Sequence, residues 1–341
     1  MTAAAPTRTS PRPRGSDYAD LSRRVSQVGL LDRRPAWYAA RIVLTVGAYL
    51  AGWAVLLAGG DSWWQLLTAV GLAVAATQVA FLGHDAGHRQ MFRTRRASET
   101  AGLLLGNLGV GLGYGWWMDK HTRHHANPNH VDDDPDVGAG ALVWTEEQAA
   151  ATRGFGRWLA RRQAYLFFPM LLLEGLSLRV ASIQAVINGP VKRRAVEGAL
   201  LAVHTAAYLG IVFAVLSPVR AVAFIVLHQA LWGLYMGCAF APNHKGMPMF
   251  GPDDDLDFLR KQVLTSRNVR GGWFVDLLLG GLNYQIEHHL FPSMPRPHLR
   301  YAQPIVRGYC QERDLPYTEA GLIDSYAEAL RHLHSVGRPL R

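Results

Sequence analysis

The stretch "YAARIVLTVGAYLAGWAVLLAGGDSWWQLLTAVGLAVAATQVAFL" (residues 38–82) indicates the fold class. It consists of two apolar segments, 38–59 and 63–82, which are separated by the polar pair Asp61 and Ser62. Each segment has about 20 residues, the length at which an α-helix crosses the hydrocarbon core of a bilayer. Because the connection is so short, the two helices are expected to run antiparallel as a transmembrane hairpin.

A second hairpin of the same kind is predicted from residues 198–216 and 221–240. Two other apolar stretches are not typical of transmembrane helices. Residues 101–117 are short and rich in glycine, and residues 165–187 carry Glu174 and Arg179. We expect both to lie in or dip into the interface. The fold class is therefore an all-α membrane protein: four transmembrane helices in two hairpins, interfacial helices, and a cytosolic helical cap.

Composition supports a membrane environment. Apolar residues make up 49% of the 341 residues and charged residues only 18%, a low charge fraction for a soluble protein. The net charge of +9 raises the question of nucleic-acid binding. The basic residues instead flank the apolar segments, so we expect lipid and not nucleic acid as the partner. With only Cys238 and Cys310, the sequence has no disulfide framework and no thiolate metal cluster.

The distribution of basic residues predicts the orientation, since Lys and Arg stay on the cytoplasmic side of a membrane. The first hairpin tip has no basic residue and the second has only Arg220, whereas residues 89–96 contain four arginines. We expect both tips to face outward and both termini to be cytosolic, in the plasma membrane if the source is bacterial. Three regions follow: a basic, disordered segment 1–35, a membrane domain 36–300, and a cytosolic helical tail 301–341.

The histidines form three spaced groups and are not scattered. "HDAGH" places His84 and His88 four residues apart, while "HTRHH" (121–125) and "QIEHH" (285–289) repeat the offsets i, i+3 and i+4. Those offsets put side chains on one face of a helix. All three groups follow an apolar segment on the cytosolic side, so they can converge there.

Clustered neutral imidazoles indicate a transition metal, because calcium and magnesium prefer oxygen ligands. Seven histidines exceed the three protein ligands of a catalytic zinc site and suit two metals with open positions. The acidic run "DDDPD" (132–136) lacks the alternation of a calcium-binding loop and is interpreted as a turn.

In its three histidine groups the sequence resembles the membrane fatty acid desaturases. This di-iron family has three histidine motifs, called boxes, of the forms H-x(3-4)-H, H-x(2-3)-H-H and H/Q-x-x-H-H. The resemblance covers residues 37 to 300. The glutamine form of the last box is found in the front-end subgroup, and this sequence shows no fused cytochrome domain motif, H-P-G-G. The resemblance implies a fatty acyl desaturase that uses two iron ions, O2 and two electrons to form a C=C bond.

The resemblance also implies a set of site residues. A histidine at the end of the fourth span serves as an extra ligand in related desaturases, which adds His244 here. A neutral amide is a weaker ligand than imidazole, so Gln285 is expected to coordinate weakly or to hold a metal-bound water, with Asn243 nearby. The implied iron ligands are His84, His88, His121, His124, His125, His244, His288 and His289.

Further roles are expected around this set. Asp85 and Glu287 either orient imidazoles or form solvent ion pairs. An unactivated methylene offers nothing for acid-base chemistry, so its hydrogen atoms must be removed by an oxidised metal. The acyl chain is therefore expected to lie beside the metals in a dry apolar tunnel. The candidates for its lining are Trp116, Trp117, Tyr235 and Trp273.

Electrons are expected from an external carrier of the ferredoxin, rubredoxin or cytochrome type with its reductase, since the sequence holds no C-x-x-C pair or other redox motif. A related di-iron hydroxylase or ketolase of lipids or alkanes is the main alternative. A zinc-dependent membrane hydrolase, which needs only about three histidines, is a weaker one. The bond position, chain length and head group (acyl-CoA, acyl-lipid or acyl-carrier protein) are left open.

Overall fold

The computed structural model describes residues 16–189 and 191–340, and its architecture is almost wholly helical. In chain order the helices are α1 (Asp17–Gln27), α2 (Pro35–Gly59), α3 (Gln65–Gly87), α4 (Arg95–Gly102), a π-helix (Leu103–Val110), α5 (Tyr114–Ala126), α6 (Glu146–Ala151), α7 (Gly154–Ala160), α8 (Gln163–Leu171), α9 (Glu174–Asn188), α10 (Arg194–Val215), α11 (Pro218–His244), α12 (Phe258–Leu264), α13 (Trp273–Leu278), α14 (Gln285–Leu290), α15 (Arg296–Gln311) and α16 (Leu322–Gly337). Two short strands, β1 (Asn268–Arg270) and β2 (Glu319–Gly321), pair in parallel with Asn268 opposite Glu319.

The four predicted spans are confirmed: α2, α3, α10 and α11 are long and apolar enough to cross a membrane. They form two hairpins whose tips meet, because Asp61 accepts hydrogen bonds from the Ser217 amide at 2.9 Å and from Arg220 at 2.5 Å. Two of these helices are longer than the sequence indicated. The α3 helix continues through His84 to Gly87, and α11 continues to His244, so both carry histidines on rigid helical ends.

The two irregular apolar stretches are both broken. Residues 163–188 form α8 and α9, which are bent by 72° to one another. A close crossing holds α9 against α11, since a Cβ on Gly233 would overlap the backbone of Gly175. The stretch 101–117 passes from the π-helix into α5 through Gly111, which has a φ of +69°.

Gly111 sits against a buried polar network. A Cβ at this position would overlap both Arg179 and His204. Arg179 donates to Gln229 at 2.8 Å and lies 3.1 Å from His204, and His204 contacts the carbonyl of Leu108 at 2.9 Å. These bonds tie the π-helix to α9, α10 and α11, which explains why a polar cluster is retained between spans.

Opposite the hairpin tips lies a cap that includes α1, α12, α14 and α15. Its core contains Leu21 and Val25 of α1, which pack against residues of α12, α14 and α15. The expected disorder of segment 1–35 therefore does not extend to residues 17–27, because the apolar i, i+4 pair of α1 is buried there; residues 1–15 lie outside the described residues. The α15 helix runs continuously through residue 300, the expected boundary of the tail.

Candidate metal centre and acyl cavity

Four helical elements deliver the histidines to one place. His84 lies near the end of α3 and His88 directly follows it, while α5 carries the second box. His244 is the last residue of α11, and α14 carries the third box. Adjacent residues on a helix point about 100° apart, so each double-histidine box can serve two neighbouring sites.

The first cluster contains His84, His88, His121 and His288, with one ring nitrogen of each lying within 4.8 Å of the others. The shortest separation is 2.8 Å, between Nε2 of His88 and Nε2 of His121. Three of these histidines come from α3 and α5, and the fourth comes from α14. Residues separated by about 200 positions thus form one set of ligand atoms.

The second cluster contains His124, His244 and His289. Nε2 of His244 lies 3.3 Å from Nε2 of His124 and 3.0 Å from Nε2 of His289. His125 bridges the clusters: its Nε2 lies 3.1 Å from that of His121, and its ring stacks on His289 with centroids 4.1 Å apart. All eight expected ligands are therefore brought together.

The hydrogen bonds of the second cluster show which nitrogen faces inward. Nδ1 of His124 lies 3.0 Å from Asp134, Nδ1 of His244 lies 2.9 Å from the carbonyl of Thr265, and Nδ1 of His289 lies 2.9 Å from Oε1 of Gln262. Since each Nδ1 lies against an acceptor, Nδ1 carries the proton of each ring and Nε2 faces inward as the available ligand atom. Three converging lone pairs repel one another unless a cation lies between them, so this donor set fits a metal.

Burial keeps the imidazoles in the form that binds metal. It lowers the pKa of His88, His121, His125, His288 and His289 well below the usual value for histidine. These rings are therefore neutral near pH 7, and neutral imidazole is the ligand form.

Several buried polar atoms in this region lack a hydrogen-bond partner within the described part of the chain. They include Nε2 of His84 and Nε2 of His288 in the first cluster, and Oε1 of Gln285 beside the second. A buried polar atom left unpaired is costly. Metal coordination would satisfy the two imidazole nitrogens of the first cluster, which is the second indication that the residues fit a metal.

Gln285 contacts the second cluster, whereas Asn243 has no side-chain hydrogen bond to a histidine among the described residues. The Nε2 atom of Gln285 is 2.8 Å from Nε2 of His244, so the amide touches the inward face of the second cluster. Asn243 is fully buried and donates to the carbonyl of Ala239 at 3.4 Å, while its Oδ1 has no partner among the described residues. Gln285 thus occupies the position that a third imidazole of the box would take.

The two carboxylates within the boxes have different surroundings. Asp85 is buried, lies 3.5 Å from Nδ1 of His84 and forms a 2.6 Å ion pair with Arg296. Among the described residues, no hydrogen bond or ion pair joins Glu287 to a histidine ring. It accepts hydrogen bonds from Asn268 at 2.7 Å and from Tyr317 at 2.6 Å, and burial raises its pKa to about 7. Glu287 therefore joins α14 to β1 and the segment before β2.

The acidic run at 132–136 does more than form a turn. Asp134 is buried, accepts from the Asn129 amide at 2.7 Å, and orients His124. Asp136 lies 3.4 Å from the same ring and 2.6 Å from Lys120. Burial alone would raise the pKa of Asp136, but Lys120 and His124 lower it below its usual value. Only the tertiary contact with His124 distinguishes this carboxylate pair from an ordinary acidic loop.

A cavity of about 290 Å³ opens onto both clusters, near the lower end of the size range of ligand pockets. Its walls are largely apolar, and six metal-site residues face it: His84, His121, His124, His244, Gln285 and His288. The predicted residues Trp116 and Trp117 line it, and the Trp117 ring stacks on His121 at 4.4 Å.

Tyr235 and Trp273 do not line this cavity. The next residues on α11, Met236 and Gly237, line it instead, because one step along a helix changes the face by about 100°. Tyr235 points away and donates to the carbonyl of Leu278 at 2.8 Å. Trp273 is 78% exposed at the protein surface.

Comparison with known proteins identifies several relatives of similar sequence. The chain is 28% identical to an acyl-lipid (9-3)-desaturase of Physcomitrium patens over 332 residues, covering 94% of this chain and 62% of the moss protein. It is 28% identical to a Delta(8)-fatty-acid desaturase of Helianthus annuus, covering 95% of this chain and 74% of the relative. It is 30% identical to a Delta(5) fatty acid desaturase of Caenorhabditis elegans, covering 91% of this chain and 70% of the relative.

The chain thus spans less than two thirds of the moss protein and about three quarters of the sunflower protein. The sequence pattern of the family described as "Fatty acid desaturase" matches residues 61–321. That match covers most of the chain and includes all three histidine boxes together with His244. By this match, the chain belongs to the fatty acid desaturase family.

Proposed function

We propose that this chain is an O2-dependent fatty acyl desaturase with a di-iron centre. The observation that carries the proposal is the opening of both histidine clusters onto a single cavity with largely apolar walls. In that arrangement a saturated chain held in the cavity would lie against the metal site. The overall reaction balances as CH2–CH2 + O2 + 2 electrons + 2 protons giving CH=CH + 2 H2O.

Each cluster would hold one iron. His84, His88, His121 and His288 form the first ligand set, and His124, His244 and His289 form the second, with His125 between them. When bound, the two irons would supply dioxygen reduction and the removal of two neighbouring hydrogen atoms. Both sets consist of imidazole nitrogens without thiolates, a donor set that suits iron.

The chain's own residues would prepare the site for this chemistry. Asp134 holds the proton on Nδ1 of His124, and Thr265 and Gln262 do the same for His244 and His289. The tautomers of three rings are thereby fixed before any ligand arrives. Trp116, Trp117 and Phe240 exclude water from the cavity wall, which keeps the reacting carbons dry.

The membrane orientation and the redox partner belong to the same proposal. The hairpin tips would face outward, since residues 89–96 on the opposite side contain four arginines. The metal centre and both termini would then be cytosolic, and an external carrier of the ferredoxin, rubredoxin or cytochrome type would deliver the electrons there. Residues 36–300 would form the catalytic unit, with 301–341 packed onto its cap.

Lipid analysis of a host that expresses the chain with a suitable redox partner tests this proposal. We expect a new unsaturated acyl species, and we expect it to disappear in a His124→Ala variant. An alcohol in place of the alkene would instead identify a hydroxylase. Unchanged lipids, with expression and reduction verified, would contradict the proposal, as would purified protein that contains a single zinc ion and no iron.

A further inference from the structure

The cavity at the metal centre has one apolar end and one charged end. Leu112 and Met236 belong to the core between the membrane spans, and they line the apolar end. Trp144 belongs to a separate cluster at the cap, and the cavity lining beside it includes Lys120 and Lys245. A fatty acyl chain has the same polarity, with a long apolar part and one polar terminus.

Asp136 joins the two lysines. Its carboxylate lies 2.6 Å from Nζ of Lys120, and its carbonyl accepts a hydrogen bond from Nζ of Lys245 at 2.8 Å. The Lys245 ammonium also lies 4.1 Å from the centre of the Trp144 ring. Each ammonium is thus held in place by the loop that contains Asp136 and Trp144.

Lys245 retains hydrogen-bonding capacity that these contacts do not use. An ammonium has three N–H donors, and one of them serves the carbonyl of Asp136. Over residues 16–189 and 191–340, no carboxylate oxygen lies within 4.0 Å of this ammonium, whereas Lys120 has Asp136. Lys245 therefore brings free donors to the wall of the cavity.

The charges around this end favour a neutral acceptor. The lining contains two lysines, Lys120 and Lys245, and two carboxylates, Asp136 and Glu174. An anion would gain from the lysines and lose to the carboxylates. A carbonyl oxygen accepts a hydrogen bond from Lys245 without adding charge, so an ester or thioester fits this environment best.

We propose that Lys245, positioned by Asp136 and Trp144, donates a hydrogen bond to the acyl carbonyl of the substrate and so fixes the register of the chain at the metal centre. This inference rests on the proposed desaturase function. Lys245 directly follows His244, so the anchor and the metal site are adjacent on one backbone. The position of the new double bond is then counted from the carbonyl and not from the methyl end.

A series of acyl chains of increasing length tests this register with the unaltered protein. The purified protein would be supplied with iron, a reductant system and saturated or monounsaturated chains that differ by single CH2 units, and the bond position would be mapped by mass spectrometry. We expect a constant distance from the carbonyl. A constant distance from the methyl end would overturn the inference, and formation of no alkene from any chain would overturn the desaturase function itself.

Variants of Lys245 test whether this residue binds the acyl carbonyl. Lys245→Met should raise KM about tenfold, with a smaller effect on kcat, and should yield a mixture of bond positions, because the charged hydrogen bond is lost. Lys245→Arg should retain the single position. The control is Lys192→Met, which removes an exposed lysine before α10. A Lys245→Met protein with normal iron content, unchanged KM and a single product would refute the role of Lys245.

The acyl carbonyl recognised by Lys245 could belong to a thioester or to a lipid ester, and the assay distinguishes these two substrate classes. One arm offers acyl-CoA thioesters, and the other offers phospholipid vesicles with ester-linked chains. Either arm supports the inference if Lys245→Met alters KM and bond position there. If Lys245→Met fails to fold, which a loss of iron and an altered gel-filtration profile would reveal, a constant distance from the methyl end in the chain-length series still overturns the inference.

Discussion

Nδ1 of His124 lies 3.0 Å from a carboxylate oxygen of Asp134, and this contact joins the second histidine box to the acidic run that follows it. Asp134 is buried, so its charge acts on the imidazole through little solvent. The carboxylate fixes the proton on Nδ1 and leaves Nε2 free for a metal.

Replacing Asp134 by asparagine should weaken metal binding at the second cluster. The amide is nearly the same size but lacks the charge, and it can present a donor to His124 and so select the wrong tautomer. We expect about a 10- to 100-fold loss of iron affinity, measured by competition with a chelator. The control is Asp132→Asn, an exposed position in the same run. Equal affinities in the two variants would show that Asp134 has no role in binding.

His244→Ala should remove one metal and spare the other. His244 contributes to the second cluster alone, and its ring nitrogen lies near those of His124 and His289. We therefore expect the iron content of the purified protein to fall by roughly half, by elemental analysis. His334→Ala, at the far end of α16, is the matched control. A full complement of iron in His244→Ala would exclude His244 as a ligand.

Substitution of Gln285 by histidine and by leucine should affect iron binding and turnover differently. Gln285→Leu keeps the bulk but removes the amide that contacts His244 at 2.8 Å, so we expect the turnover rate to fall about 10- to 100-fold. Gln285→His restores a ligand of the same reach and should retain iron. Both variants are to be compared for iron content and for turnover with the same electron donor. Full activity of Gln285→Leu would mean that the amide is dispensable.

Removal of the metals should destabilise the fold around the site. Without a cation, the three lone pairs of His124, His244 and His289 face one another, and a ligand that binds only the folded state stabilises it by mass action. We expect a lower Tm in detergent after chelation and its recovery when ferrous iron is added back. A Tm that does not change across this cycle would indicate that the histidines hold no metal.

Gly111→Ala should destabilise the protein. The residue has a φ of +69°, and the added Cβ would overlap Arg179 and His204. We expect a loss of about 1–3 kcal/mol in the free energy of unfolding, since both the backbone and the contacts are strained. Gly210→Ala, in α10 with open space around it, should leave stability unchanged or slightly higher. Equal thermal stability of the two variants would contradict this role of Gly111.

The sequence alone determined the spans, the hairpins and the identity of the clustered histidines. These features are periodic or local: a helix needs about 20 apolar residues to cross a bilayer, and the i, i+3, i+4 spacing acts within one helix. Hydropathy does not fix the ends of the spans, since α3 and α11 continue beyond the last apolar residue to include His84 and His244.

Only the tertiary structure decided how the histidines divide between two clusters and which other side chains join them. Gln262 and Thr265 meet the second cluster because separate segments converge in the cap, and no local pattern marks them. The acidic run marks Asp134 in the sequence but does not show its contact with His124. The same holds for Met236 in place of Tyr235 at the cavity wall, since the face that a membrane helix turns inward depends on its neighbours and not on its own hydrophobicity.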